Sequence, residues 1–171
     1  MKKELTRRSF LKLAGVGALA VVMSGSLTGC DVIDNLKDMD SVSAAIGDVK
    51  FMLSASAWVN NGSNGMSYQP TCEIRNNSKK AVTYGGSGSN CEVIITGVLT
   101  DKNGKEYPMT YVGENGSAPA GEKYEVKDFK LVAVGKGLYM EGSKVVTTFT
   151  YNGRKAVFTE YNNGNITSKV E

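Results

Sequence analysis

The chain of 171 residues contains no histidine. That absence removes Ser-His-Asp and Cys-His catalysis, histidine-ligated zinc, and pH sensing by an imidazole. Cysteine occurs three times and never as a C-x-x-C pair. Long apolar runs are also missing. "LAGVGALAVVM", residues 13–23, has 11 residues, whereas a spanning helix needs about 20. Basic charge is scarce outside the leader. Residues 1–30 carry a net +4, and the rest holds 15 basic against 16 acidic side chains. The formal +3 and basic pI of 8.7 therefore belong to the leader, and the body lacks the electrostatic footprint of a nucleic-acid binder.

What is present at the start gives an address. Lys2, Lys3, Arg7, Arg8 and Lys12 precede the short apolar run, the layout of a signal peptide. "TRRSFLK" resembles the twin-arginine export motif, with Arg7 and Arg8 paired and Phe10 and Leu11 at the matching offsets. A Sec signal with coincidental arginines is the alternative. "LTGC", Leu27 to Cys30, resembles a lipobox, which implies cleavage before Cys30 and a diacylglycerol on its sulfur. The competing reading is an ordinary thiol beside a conventional cleavage site. Residues 1–29 are thus expected to be a signal peptide with a helical core. The mature chain of 142 residues would be extracytoplasmic, its partner at Cys30 being membrane lipid. Two acyl chains anchor stably where one binds only marginally.

Residues 30–47, acidic and poor in aromatics, are expected to form a tether. From residue 48 onward the pattern is strands and turns. "VKFMLSASAWV" alternates, placing Val49, Phe51, Leu53, Ala55, Ala57 and Val59 on one face of a half-buried strand. "MSYQPTCEI" groups Met66, Tyr68, Pro70, Cys72 and Ile74, with Pro70 pointing to an edge or a bulge. "CEVIITGVLT" reads as a more central strand. Turn sequences recur throughout, and no helical periodicity follows residue 49, which together predict a sandwich or barrel.

Two hairpins fix their own register. Asn152-Gly153 is a two-residue type I′ signal, setting Phe149 opposite Ala156 and Thr147 opposite Phe158. Phe149 and Phe158 then become diagonal neighbours. At "LTDKNGKEY" a three-residue loop with Gly104 at the left-handed position sets Leu99 opposite Tyr107 and Ile95 opposite Tyr111. That register groups the apolar side chains.

An extended strand leading to "NNSKKAVTYGG", a strand ending in "DKNGKEYP", and then "APAGEKYEV" make up a recognisable succession. It resembles the immunoglobulin-like domains of unknown function on secreted Gram-positive lipoproteins. The landmarks are Asn76 or Asn77 at the first turn, Asp101, Gly104, Lys105 and Tyr107 in the hairpin, and Pro119, Gly121 and Glu122 in the last turn. The resemblance implies an all-β, immunoglobulin-like antiparallel β-sandwich over residues 48–171 and carries no catalytic residues. The glycine-rich "YGGSGSNC" and the cysteine pair depart from the pattern.

Cys72 and Cys91 remain after lipidation, an even pair that suggests a disulfide in an exported domain. A redox or metal-binding pair, or two free thiols, are the alternatives. "YGGSGSN" precedes a β-branched strand rather than a helix, so it lacks the setting of a phosphate loop. The carboxylate pairs Glu125 with Asp128, and Asp101 with Glu106, are the candidates for a small hydrolase. Neighbouring lysines favour solvated sheet edges instead. Trp58 with the tyrosines is either a carbohydrate platform or core packing. The expectation is a non-catalytic binding or scaffold module without cofactor or metal. Its partner at the cell envelope would be a protein or a glycan, not nucleic acid. Contact loops would be 60–65, 85–90 and 112–121. An accessory or inhibitor domain acting on an exported enzyme is the second reading, with a hydrolase third.

Overall fold

The computed structural model describes residues 41–171 except 136, 137 and 139, together with all side chains in that range but those of 55 and 63. Arg7, Arg8, Phe10, Leu11, Cys30 and most of the tether lie outside the described residues. Twelve strands follow one another: β1 (Ser41–Ile46), β2 (Val49–Asn60), β3 (Met66–Asn76), β4 (Val82–Gly86), β5 (Val93–Thr100) and β6 (Glu106–Tyr111). Then come β7 (Gly116–Ala118), β8 (Glu122–Val126), β9 (Leu131–Ala133), β10 (Lys144–Tyr151), β11 (Arg154–Tyr161) and β12 (Ile166–Val170). The end expected for the tether is corrected, because "SVSAAI" pairs as β1 with Val49–Ser54 across the Gly47-Asp48 turn. Gly47 takes the left-handed φ of +58° that this tight turn requires.

The sheet runs β1-β2-β3-β9-β6-β5-β10-β11-β12 and nearly closes on itself. At the seam Ser168 Oγ donates to the Ser43 carbonyl at 2.8 Å, joining β12 to β1. All ladders are antiparallel except β4 with β5. Two long strands change partner along their length. β3 pairs with β9 through Met66–Tyr68 and with β8 through Cys72–Asn76. β5 pairs with β6 in its second half and with β4 in its first. β5 is central, as its β-branched run predicts.

Both hairpin registers match the turn chemistry. Phe149 faces Ala156, Thr147 faces Phe158, and Leu99 faces Tyr107. Asn152 and Gly153 have φ of +50° and +74°, and Gly104 has +81°. The expected continuation to Ile95 opposite Tyr111 does not form, because β4 takes that edge of β5 and pairs Gly86 with Ile95. The Tyr111 ring instead covers Gly86, where an added Cβ would sit 3.3 Å from Cδ1. The core centres on Phe149, whose ring stacks on Phe51 at 4.7 Å and meets Phe158 edge-on at 5.6 Å. Val49, Phe51, Leu53, Ile74, Ile95, Leu99 and Leu131 close around these rings.

One expected face is overturned. Val49, Phe51 and Leu53 are buried, but a bulge between Ser54 and Ser56 shifts the register by one residue. A one-residue slip sends every later side chain to the opposite face. Ser56 and Trp58 therefore turn inward, and Ala57 and Val59 turn out. Pro70 lies opposite Ser56 at this bulge, and on its other side β3 is between its β8 and β9 pairings. Those are places where a missing amide hydrogen is tolerated.

Candidate functional site

The bulge builds a polar cluster in the interior. Ser56 and Trp58, turned inward, meet Glu160 from β11 and Tyr68 from β3. Tyr68 donates its hydroxyl to Glu160 Oε2 at 2.6 Å. Ser56 Oγ and Trp58 Nε1 both donate to Oε1, the indole at 3.3 Å. Trp58 Nε1 also reaches Ser56 Oγ at 3.1 Å, and its ring packs edge-on against Tyr68 at 5.5 Å. Glu160 is buried, and a buried carboxylate is tolerated only when its lone pairs are filled. Burial, followed by the charge of Glu160, pushes the Tyr68 hydroxyl far above the ordinary phenol range. The cluster ties β2 and β3 to β11 across the interior, and so holds the upper part of the sheet closed beyond the reach of β1.

This cluster underlies one end of the fold. The registers place connections 61–65, 101–105 and 162–165 at that end, with residues 134–135 and 140–143. Connections 47–48, 77–81, 119–121 and 152–153 lie at the other. Neighbours at the first end touch one another. Asn60 Nδ2 donates to the Leu138 carbonyl at 3.3 Å, and the Asn162 amide donates to the Ser143 carbonyl at 3.0 Å. Gly65, at φ +110°, fits so closely that a Cβ would lie 2.0 Å from the Ala133 carbonyl oxygen. Val134 is 79% exposed there, with Val59 at 41% and Tyr161 at 42%. Three of the four exposed large apolar side chains among the described residues thus stand toward this end, on different strands.

The three loops singled out from sequence do not share an end. Loop 60–65 belongs to the apolar end, whereas 119–121 lies at the opposite one. Residues 87–92 double back beside the start of β5, and 112–115 carry the chain from β6 to β7. Trp58 does not present a flat platform, because its ring and Nε1 are engaged by Tyr68, Ser56 and Glu160. Sequence reasoning missed Glu160 altogether. Its one signal was the alternation of β11, which puts position 160 on the same face as Phe158 and Ala156.

The cysteine pairing is corrected. Both Cys72 and Cys91 are free. Cys72 is wholly buried in β3 facing the core, and that burial pushes its thiol well above the ordinary range, so it stays protonated. A protonated thiol is neither nucleophile nor metal ligand. Cys91 lies outside the strands, just before β5.

The candidate carboxylates are held by their turns. Asp101 accepts from the amides of Lys105 and Asn103 at 2.9 and 2.8 Å, which holds its carboxyl below the usual range. Glu125 stands opposite Glu73 between β8 and β3, and Asp128 sits at a left-handed φ of +53°. Among the described residues no three His, Cys, Asp or Glu side chains are grouped to hold a metal ion. Of the alternatives for the first turn, Asn76 is the one that organises it. Its Nδ2 donates to the carbonyls of Lys80 and Ala118, and its Oδ1 accepts from Ser78.

No family model matches the chain, and no curated protein matches it. Among solved structures, the Northeast Structural Genomics Consortium target SoR45 superposes with a TM-score of 0.40 at 14% identity, over 74% of this chain and 84% of that one. A Bacteroides uniformis beta-glucuronidase superposes with a TM-score of 0.37 at 12% identity, over 71% of this chain. A calcium-binding mutant of Bacteroides uniformis beta-glucuronidase 2 gives 0.38 at 12% identity, over 71%. This chain spans 14% of the length of either glucuronidase.

Proposed function

We propose that the protein is an extracytoplasmic lipoprotein, held to the membrane through Cys30, that presents an immunoglobulin-like β-sandwich as a non-catalytic binding module. The twin-arginine-like leader and lipobox support the address. The exposure of Val59, Val134 and Tyr161 toward the end where 61–65, 101–105, 140–143 and 162–165 lie supports the binding role. Rigid strands hold these loops, and the Glu160 cluster braces them from below. The partner is a protein or glycan of the cell envelope. Crosslinking on intact cells, from a photoreactive residue at position 134, should give one dominant adduct that Val59→Asp abolishes. A crosslinking pattern unchanged by Val59→Asp would refute the assignment of this end.

One observation favours the second reading, an accessory or inhibitor domain. Among the described residues β2 runs on to Asn60, whereas its ladder with β1 stops at Ser54. The 22 residues from Phe51 to Cys72 carry no charge. Natural edge strands are usually protected by charge, so an edge without it suits pairing with an extended partner segment. Proline at position 57 would abolish partner binding on this reading and spare it on the first.

A further inference from the structure

Asparagine followed by glycine occurs six times, at 61–62, 64–65, 103–104, 115–116, 152–153 and 163–164. This dipeptide has an intrinsic chemistry. The glycine nitrogen, once it gives up its proton, attacks the asparagine side-chain carbonyl carbon. A five-membered succinimide forms and ammonia leaves. Water then opens the ring at either carbonyl, giving aspartate or isoaspartate. The step needs a glycine N–H free to lose its proton and an asparagine amide free to turn toward it.

The fold withholds one or both conditions at five of the six sites. The Gly62 amide donates to Asn60 Oδ1 at 2.8 Å, and that of Gly65 donates to the Gly62 carbonyl at 3.4 Å. The Gly104 amide is bound to the Asp101 carbonyl at 3.0 Å. At Gly164 the amide is bound to the Tyr161 carbonyl at 2.8 Å, while Asn163 Oδ1 accepts from the Asn165 amide. Gly116 is built into β7 opposite Tyr84, and the Asn115 side chain packs on Gly85.

Asn152-Gly153 differs on each count. Both residues are exposed at the tip of the β10–β11 turn, and neither the Gly153 amide nor the Asn152 side chain has a hydrogen-bond partner among the described residues. Arg154 and Lys155 follow directly, both exposed.

We propose that Asn152 is a site of self-modification, converting through a succinimide with Gly153 to aspartate and isoaspartate while the rest of the fold protects the other five sites. The product places a carboxylate beside Arg154 and Lys155. In the isoaspartate form one methylene is added to the main chain of a two-residue turn whose geometry admits no insertion. That turn aligns Tyr151 with Arg154 at the head of the β10–β11 ladder, so modification loosens this end of the hairpin.

The test is peptide mapping by mass spectrometry of the purified full chain, incubated at mildly alkaline pH, once folded and once in concentrated urea. In the folded protein Asn152 should convert roughly tenfold faster than each of the others, the factor expected from releasing one backbone hydrogen bond. In urea the six sites should converge. Another site reacting as fast as Asn152 in the folded protein would overturn the proposal. So would the same preference for Asn152 persisting in urea, because the selectivity would then belong to the local sequence rather than to the fold.

Discussion

Tyr68 and Glu160, 92 residues apart in the chain, share a 2.6 Å hydrogen bond inside the fold. The bond links β3 to β11, strands that are not neighbours in the sheet. It depends on the bulge in β2, which supplies the two further donors that complete the carboxylate.

Replacing Glu160 with alanine strands the Tyr68 and Ser56 hydroxyls, while the Trp58 indole keeps Ser56 Oγ as its acceptor. Each unsatisfied buried group costs about 1–3 kcal/mol. The urea midpoint should therefore fall by the equivalent of about 4 kcal/mol, whereas Tyr68→Phe, which strands only Glu160 Oε2, should cost about 2 kcal/mol. Equal effects of the two changes would show that Glu160 does not organise the cluster.

Deleting residue 55 removes the bulge and restores strict alternation along β2. Leu53, Ser56 and Trp58 would then still point inward and Ser54, Ala57 and Val59 outward, because residue 55 is the extra one. Trp58 is the only tryptophan in the chain, so its fluorescence reports this directly. The emission maximum and acrylamide quenching should stay close to those of the unaltered chain. A red shift with raised quenching in a folded deletion variant would contradict the observed register.

Tyrosine ionisation sets an upper pH limit. Tyr111 is pushed up to about 12, first by burial, and Tyr68 and Tyr84 are raised further. An unfolded phenol ionises near 10. Between those values the unfolded chain binds fewer protons than the native one, so stability is intact below pH ~10 and falls as pH rises through the folded values. The denaturation midpoint should be flat from neutral to about pH 9.5 and decline above it. Phenolate absorbance should show the buried group titrating only as the fold is lost. A full titration of all tyrosines in a still-folded protein would refute this.

The address has its own test. Cys30→Ser should release the protein from membranes, and lysine at both position 7 and position 8 should block export. Membrane association that survives the serine change would remove the lipid anchor. Secretion undiminished by the lysines would assign export to the Sec route.

Local chemistry was legible wherever the sequence itself carried the constraint. Asn152-Gly153 and Lys102-Asn103-Gly104 fixed two hairpin registers, because left-handed backbone at those positions admits few residues. The β-branched run of β5 announced a central strand. The face of β2 beyond Leu53 was not legible, because alternation says nothing about where a bulge resets it. The Cys72–Cys91 pairing failed for a related reason. Parity of cysteines suggests a partner, but only packing decides where the thiols point, and Cys72 points into the core.

From residues alone came the β class, the tight turns and the leader's resemblance to an export signal, since each rests on neighbours in the chain. The tertiary structure decided which strands exchange partners, which loops share an end and that Glu160 is buried. Those depend on contacts between segments up to 125 residues apart, formed only when the sheet curls and its two edges meet at Ser43 and Ser168.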